Sequence, residues 1–180
     1  MRISRRVPIT VFIAALAALS AALVVGALSA LGDEGGHGKG HGKGDGGDLI
    51  RESLAPSMPA PTDPAFHGVA PGGAPWVLKE GSVRVSEHRL DLRVRGLVIP
   101  VAPGNGTPGP VNTISASLYC GADSNTMAAA TTGQVPIDRH GDGRIRDNSF
   151  DVPSTCLSPV ILVNPNGGAG AYIAVDGWRM

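Results

Sequence analysis

The sequence predicts an all-β domain: a small antiparallel β-sandwich of immunoglobulin-like type with about seven or eight short strands and one disulfide, or, as the competing architecture, a small Greek-key barrel. Three observations carry that expectation. Gly at 26 and Pro at 15 of 180 residues favour short elements separated by turns over long helices. Apolar and polar residues alternate in several runs between Trp76 and Val175, the period of half-buried strands. Two cysteines, Cys120 and Cys156, each sit beside strong strand signal in a chain that carries an export segment. The length leaves room for one domain of ordinary size. Aromatic residues are few, so the core must come mainly from Val, Leu, Ile and Ala, and a core of that kind gains from a covalent staple.

The N-terminal segment sets the expected compartment. Arg2, Arg5 and Arg6 precede an uncharged apolar run from Val7 to Leu31, the pattern of a signal peptide or a hydrophobic membrane-anchor helix. Ala27 and Ser29 stand at the minus-three and minus-one positions for a cut before Ala30. The run also matches the ~20 residues a spanning helix needs, so an uncleaved anchor with the domain outside is the alternative. Ser4-Arg5-Arg6 resembles the start of a twin-arginine signal, but Pro8 departs from that pattern and leaves the general secretory route as the simpler reading.

Residues 32–50 read as a disordered Gly/His/Lys linker with a His-Gly-Lys-Gly unit occurring twice, because nothing in them can pack and glycine maximises the entropy lost on ordering. His37 and His41 could chelate Zn²⁺, Ni²⁺ or Cu²⁺ there, against the repulsion of Lys39 and Lys43. Residues 51–75 read as a Pro-rich extended segment wrapped over the domain, with Pro56, Pro59, Pro61, Pro64 and Pro71 barring helix and confining any strand to an edge.

The domain itself is expected over residues 76–180. Trp76-Val77-Leu78 opens the strand signal, Gly81 breaks it, and Val83 and Val85 resume it. Leu90, Leu92 and Val94 share one face while Asp91, Arg93 and Arg95 share the other, with Glu87-His88 as the hairpin tip between the two runs. Leu97-Val98-Ile99 is apolar throughout, and residues 100–110 form a loop containing the sequon-like Asn105-Gly106-Thr107. Ile114, Ala116, Leu118 and Cys120 alternate with Thr113, Ser115, Ser117 and Tyr119, which turns Cys120 inward. Weaker signals follow at Met127 to Thr132 and at Val135-Pro136-Ile137, then a strand from Ile145 to Phe150 after the Gly141-Asp142-Gly143 turn. Val160 to Val163 and Ala171 to Val175 close the domain around an Asn164-Pro165-Asn166-Gly167-Gly168 turn. Cysteines in an exported chain pair, and the expected bond is Cys120–Cys156. A catalytic thiol would need an unpaired cysteine with a histidine beside it.

Acidic and basic residues balance at 15 each, so there is no overall field to draw nucleic acid. The sequence holds no Gly-x-Ser-x-Gly elbow, His-Glu-x-x-His, phosphate loop or dinucleotide fingerprint, and no catalytic residue or cofactor is assigned. Asp138 and Asp142 occupy positions of a calcium-loop pattern, but His140 replaces its second acidic ligand, Ser149 stands at its closing Glu, and Arg139 and Arg144 intervene; a hairpin turn fits better. Arg84, Arg89, Arg93 and Arg95 form a basic stripe on an outer face, where a polyanionic wall polymer could lie, or else a charged face that keeps the domain soluble.

Gly72-Gly73-Ala74-Pro75-Trp76, Val94-Arg95-Gly96-Leu97-Val98, Cys120 and Cys156-Leu157-Ser158-Pro159 together resemble a group of uncharacterised secreted bacterial proteins of actinomycete type. That resemblance implies domain boundaries and a disulfide and adds no mechanism. The expectation is thus a non-enzymatic binding or structural module at the cell envelope, secreted or anchored, whose partner is a wall polymer or another envelope protein. The alternatives are an enzyme assembled from His67, His88, His140 and nearby Asp residues, and metal binding by the linker.

Overall fold

The computed structural model describes residues 47–179. The signal or anchor segment, most of the linker, and His37 and His41 lie outside the described residues. Among these residues no helix forms. The strands are β1 (Ile50–Pro56), β2 (Ala70–Pro71), β3 (Glu80–Ser86), β4 (Arg89–Arg95), β5 (Thr113–Tyr119), β6 (Ala130–Thr131), β7 (Val135–Pro136), β8 (Gly143–Asp147), β9 (Val160–Pro165), β10 (Ala171–Tyr172) and β11 (Ala174–Asp176).

The larger sheet is one antiparallel path, β6-β5-β9-β11-β1-β3-β4-β8. It curls until its ends meet at β7, which pairs with β5, while the next residue, Ile137, bridges to Gly143 of β8. The fold is thus all-β, with one continuous curled antiparallel sheet whose two halves are joined through β1, and the pairing alone does not identify an immunoglobulin-like sandwich. β10 and β2 form a separate two-stranded parallel pair.

β1 corrects the expected start of the folded part at residue 76 and the expected confinement of this stretch to an edge. Ile50 to Ser53 pair with β3, and Leu54 to Pro56 pair with β11, so the strand is central and hands the sheet from one neighbour to the other. Leu54 and Ala55 are both buried, the break in alternation expected where a strand turns a corner. Pro56 does no harm because it is the last residue of the strand. Gly81 lies within β3 instead of interrupting it: a Cβ there would sit 2.8 Å from the Leu54 Cβ, so the close approach of β1 to β3 requires glycine.

The hairpin β3–β4 follows the alternation residue by residue. Val83, Val85, Leu90, Leu92 and Val94 are buried, and the residues between them face outward. With Ile145, Ile114, Leu118, Ile161 and Val163 they fill the interior of the curl, each contributing roughly 1.5–3 kcal/mol of gross apolar burial. Phe150 is buried beyond the end of β8, in the connection that leads to Cys156. The Cys120–Cys156 disulfide forms, with Cα atoms 5.0 Å apart, and both half-buried cysteines pack against the core. A disulfide is compatible with an oxidising, extracellular location.

Residues 57–76 form a strap over the outer face of β5, β9 and β11. Ser57 N donates to Ile173 O at 3.0 Å, Gly72 N to Tyr172 O at 2.7 Å, and the Tyr172 hydroxyl to Pro64 O at 2.7 Å. Val69, Tyr119, Leu162 and Tyr172 make a second apolar cluster beneath it, with Phe66 against Tyr172 at 5.5 Å between ring centroids. This cover explains why Tyr119 is buried although the alternation put it on the solvent side; Ser115 and Ser117, on the same side, are buried too, beside Asn164. The buried polar pair here is satisfied: the Ser117 hydroxyl donates to Asn164 Oδ1 at 2.8 Å, and Asn164 Nδ2 donates to Ala171 O at 2.8 Å.

Candidate functional site

The strap covers one half of the sheet and leaves the outer face of β3, β4 and β8 open. Alternation turns every second residue of these strands outward, and the register then sets them in rows. One row runs Arg51–Arg84–Asp91–Arg146 from β1 to β8; the next runs Ser53–Ser82–Arg93–Arg144. Glu80 opposite Arg95 and Ser86 opposite Arg89 complete the face.

Asp91 sits in the middle of this surface and is its principal counter-charge. Its carboxylate takes a forked bond from Arg144, Nε to Oδ1 at 3.1 Å and Nη2 to Oδ2 at 2.7 Å, with Arg89 and Arg146 each 3.7 Å away. The hydrogen bond from Arg144 holds the Asp91 carboxyl below the usual carboxylate range, and the surrounding guanidinium charges add to it against a partial loss of hydration. The same bond raises Arg144. Arg95 meets Glu80 at 3.4 Å. Among the described residues, Arg51, Arg84 and Arg93 have no carboxylate within ion-pair distance.

At the β8 end of the face lies an open groove of about 570 Å³, lined by Arg93, Arg95 and Arg144, by Val135, Pro136 and Ile137, and by Asp138 and Asp142, whose carboxylates accept backbone N–H bonds. Guanidinium groups beside apolar side chains suit oxyanions such as phosphates and carboxylates, which the planar fork binds through two parallel N–H donors.

Asp138 and Asp142, the nearest approach to a calcium loop, are occupied by their own backbone. Asp138 Oδ1 accepts from His140 N at 2.8 Å and Asp142 N at 2.9 Å; Asp142 Oδ1 accepts from Gly96 N at 2.9 Å. The backbone bonds from Asp142 and His140 hold the Asp138 carboxyl below its ordinary range. Gly141, at φ 79°, passes so close to Leu97 that any Cβ would strike its backbone, which fixes the turn against the end of β4. The loop is a structural turn, and among the described residues no group of three or more His, Cys, Asp or Glu is placed to hold a metal ion.

The three histidines of the enzyme alternative are not brought together. His67 is 2 % exposed in the strap, stacked on Tyr119 at 5.0 Å, with Nδ1 2.8 Å from Asn125 O and its backbone N–H on Asp123 Oδ1 at 2.9 Å. His88 is exposed at the tip of the β3–β4 hairpin beside Glu87. His140 accepts from Arg139 in the turn against Leu97, at the opposite end of β4 and so roughly 20 Å along the strand direction from His88.

Sequence reasoning named Arg84, Arg89, Arg93 and Arg95 and missed Arg144 and Arg146, whose alternation around Ile145 carried the same signal. It also missed Arg51, because β1 was read as part of an extended segment. The residues that carry the resemblance to secreted bacterial proteins serve structure: Trp76 is buried in the core, Gly96 N is held by Asp142, and the two cysteines are bonded. No protein-family model matches the chain, and no curated protein or solved structure matches it either.

Proposed function

We propose that the chain is a non-enzymatic binding module of the cell envelope, exported through its N-terminal apolar segment, and that its arginine face docks on an anionic polymer there. The observation that carries this reading is the concentration of arginine on the sheet face left uncovered among the described residues, in a chain whose charges balance overall at 15 against 15. Export is supported by Arg2, Arg5 and Arg6 ahead of the Val7–Leu31 run and by the Cys120–Cys156 bond. If that run stays uncleaved, the same face works from the outer surface of a membrane.

The test is binding of the full chain to inorganic polyphosphate across a salt series. Affinity should fall steeply with salt. Arg84→Gln and Arg93→Gln, which break no ion pair, should each weaken binding about threefold and lower the salt slope by roughly one. Unchanged affinity and slope in the double variant would remove the proposal.

A further inference from the structure

Where β1 begins and β11 ends, Leu49, Arg51, Glu52, Pro159, Asp176 and Trp178 enclose an open depression of about 340 Å³. Trp178 is 75 % exposed, whereas Trp76, the other tryptophan, is 3 % exposed and belongs to the core. The indole is presented from a held backbone: Gly177 N donates to Ser53 O at 2.9 Å, and the Asp176 carboxylate accepts from Ile161 N at 2.9 Å. Leu49 beside it is also exposed.

The polar groups around the indole narrow what can lie there. Glu52 and Asp176 oppose both a bare polyanion and insertion into an anionic lipid surface, since each would bring negative charge or hydrocarbon against carboxylates. Arg51 opposes a simple cation. A sugar ring with one apolar C–H face and a rim of hydroxyl groups satisfies all of them when any carboxylate it carries points away from Glu52 and Asp176 and toward Arg51: the face covers the indole, and the hydroxyls donate to the carboxylates. Arg51 is also the first residue of the row that leads through Arg84 onto the arginine face, with about 5 Å between neighbouring strands.

We infer that this depression is a sugar subsite, and that the polymer bound by the arginine face is an acidic polysaccharide, with a sugar ring on Trp178 and its anionic groups running across Arg51 and Arg84. This inference rests on the polyanion reading above. The experiment separates the two by comparing polygalacturonate, a polymer of sugar acids, with polyphosphate, an anion without sugar, on the full chain. Polygalacturonate should perturb the long-wavelength emission of exposed Trp178 and leave the emission of buried Trp76 unmoved. Trp178→Ala should weaken polygalacturonate binding about tenfold and change polyphosphate binding by less than twofold, and Trp178→Phe should recover part of the loss. The Trp76 emission reports that each variant is folded.

Equal loss for both polymers, or none for either, overturns the sugar subsite and leaves the arginine face standing. No binding of either polymer by the unaltered chain overturns both. A blue shift of Trp178 on phosphatidylglycerol vesicles, with no response to polygalacturonate, assigns the depression to a lipid surface and also overturns the inference.

Discussion

Replacing Asp91 by Asn should move stability and binding in opposite directions. The carboxylate faces three guanidiniums, at 2.7 Å from Arg144 and 3.7 Å from Arg89 and Arg146. A bare pair at such distances is worth about 4 kcal/mol at an effective dielectric of 20, but partly exposed pairs lose most of that to hydration and salt, leaving ~1 kcal/mol. Asn keeps the shape and removes the charge, so Asp91→Asn should cost about 1 kcal/mol in urea unfolding at low salt, and less as salt rises. The same change gives the face one more uncompensated positive charge and frees the Arg144 fork. Polyphosphate affinity at low salt should therefore rise at least threefold, with a salt slope steeper by nearly one. The pH dependence has a defined sign. Because the folded Asp91 carboxyl is depressed, its contribution is present above the unfolded value near pH 4 and is lost as pH falls through the folded value. The two stability curves should converge in acid and separate at neutral pH. An Asp91→Asn variant that is folded and binds polyphosphate no better than the parent would refute the reasoning, since it would mean that the carboxylate does not compete with a ligand for the arginines.

Two further outcomes are expected. Replacing Cys120 and Cys156 together by Ala opens a bond between positions 36 apart in sequence, for which the chain-entropy model gives about 4 kcal/mol; a melting temperature lowered by less than ~5 °C would show that the staple contributes little. Burial, with Asp63 adding to it, pushes the Tyr172 hydroxyl up to about 12, and burial raises Tyr119 as well, so tyrosinate absorbance should be delayed beyond pH 10 while the fold persists. Raised phenols stabilise the fold fully below the unfolded value near 10 and lose that contribution as pH rises, so stability should decline on the alkaline side; two phenols titrating near pH 10 in folded protein would contradict this.

What could be read from the sequence was what local periodicity encodes. The β3–β4 hairpin with its Glu87-His88 tip and the inward turn of Leu90, Leu92 and Val94 follow from alternation alone, and the cysteine pairing follows from export and strand signal. β1 was illegible for a physical reason: three successive exposed residues, Arg51 to Ser53, interrupt its pattern, Pro56 and Pro59 suggest a non-strand segment, and its pairing with β11 is made over a long sequence separation. Tyr119 looks solvent-facing until the strap is in place, and nothing local announces that cover. The exposure of Trp178 is equally a tertiary fact, because an isolated tryptophan near Asp176 reads the same in a core and on a rim.

The division of the sheet into a covered and an open half also bears on the two readings of its charged face. An exposed β surface needs charge to stay soluble and unpaired, and mixed charges with lysine among them serve that purpose well. Here every cationic residue within β1, β3, β4 and β8 is arginine; Asp91 has to answer three of them and Glu80 one. Solubility places no demand on the geometry of the cation, whereas bidentate binding of a carboxylate or phosphate does, and it is the guanidinium fork that meets it. The strap sharpens the contrast. It spends an ordered segment of chain on covering β5, β9 and β11 with Val69 and Phe66, which pack on Tyr172, while the half left open is the half whose rows carry arginine. An accessible face of this kind is what the proposed docking requires, and a chain that kept it open without binding any polyanion would leave the arginine rows to solubility alone.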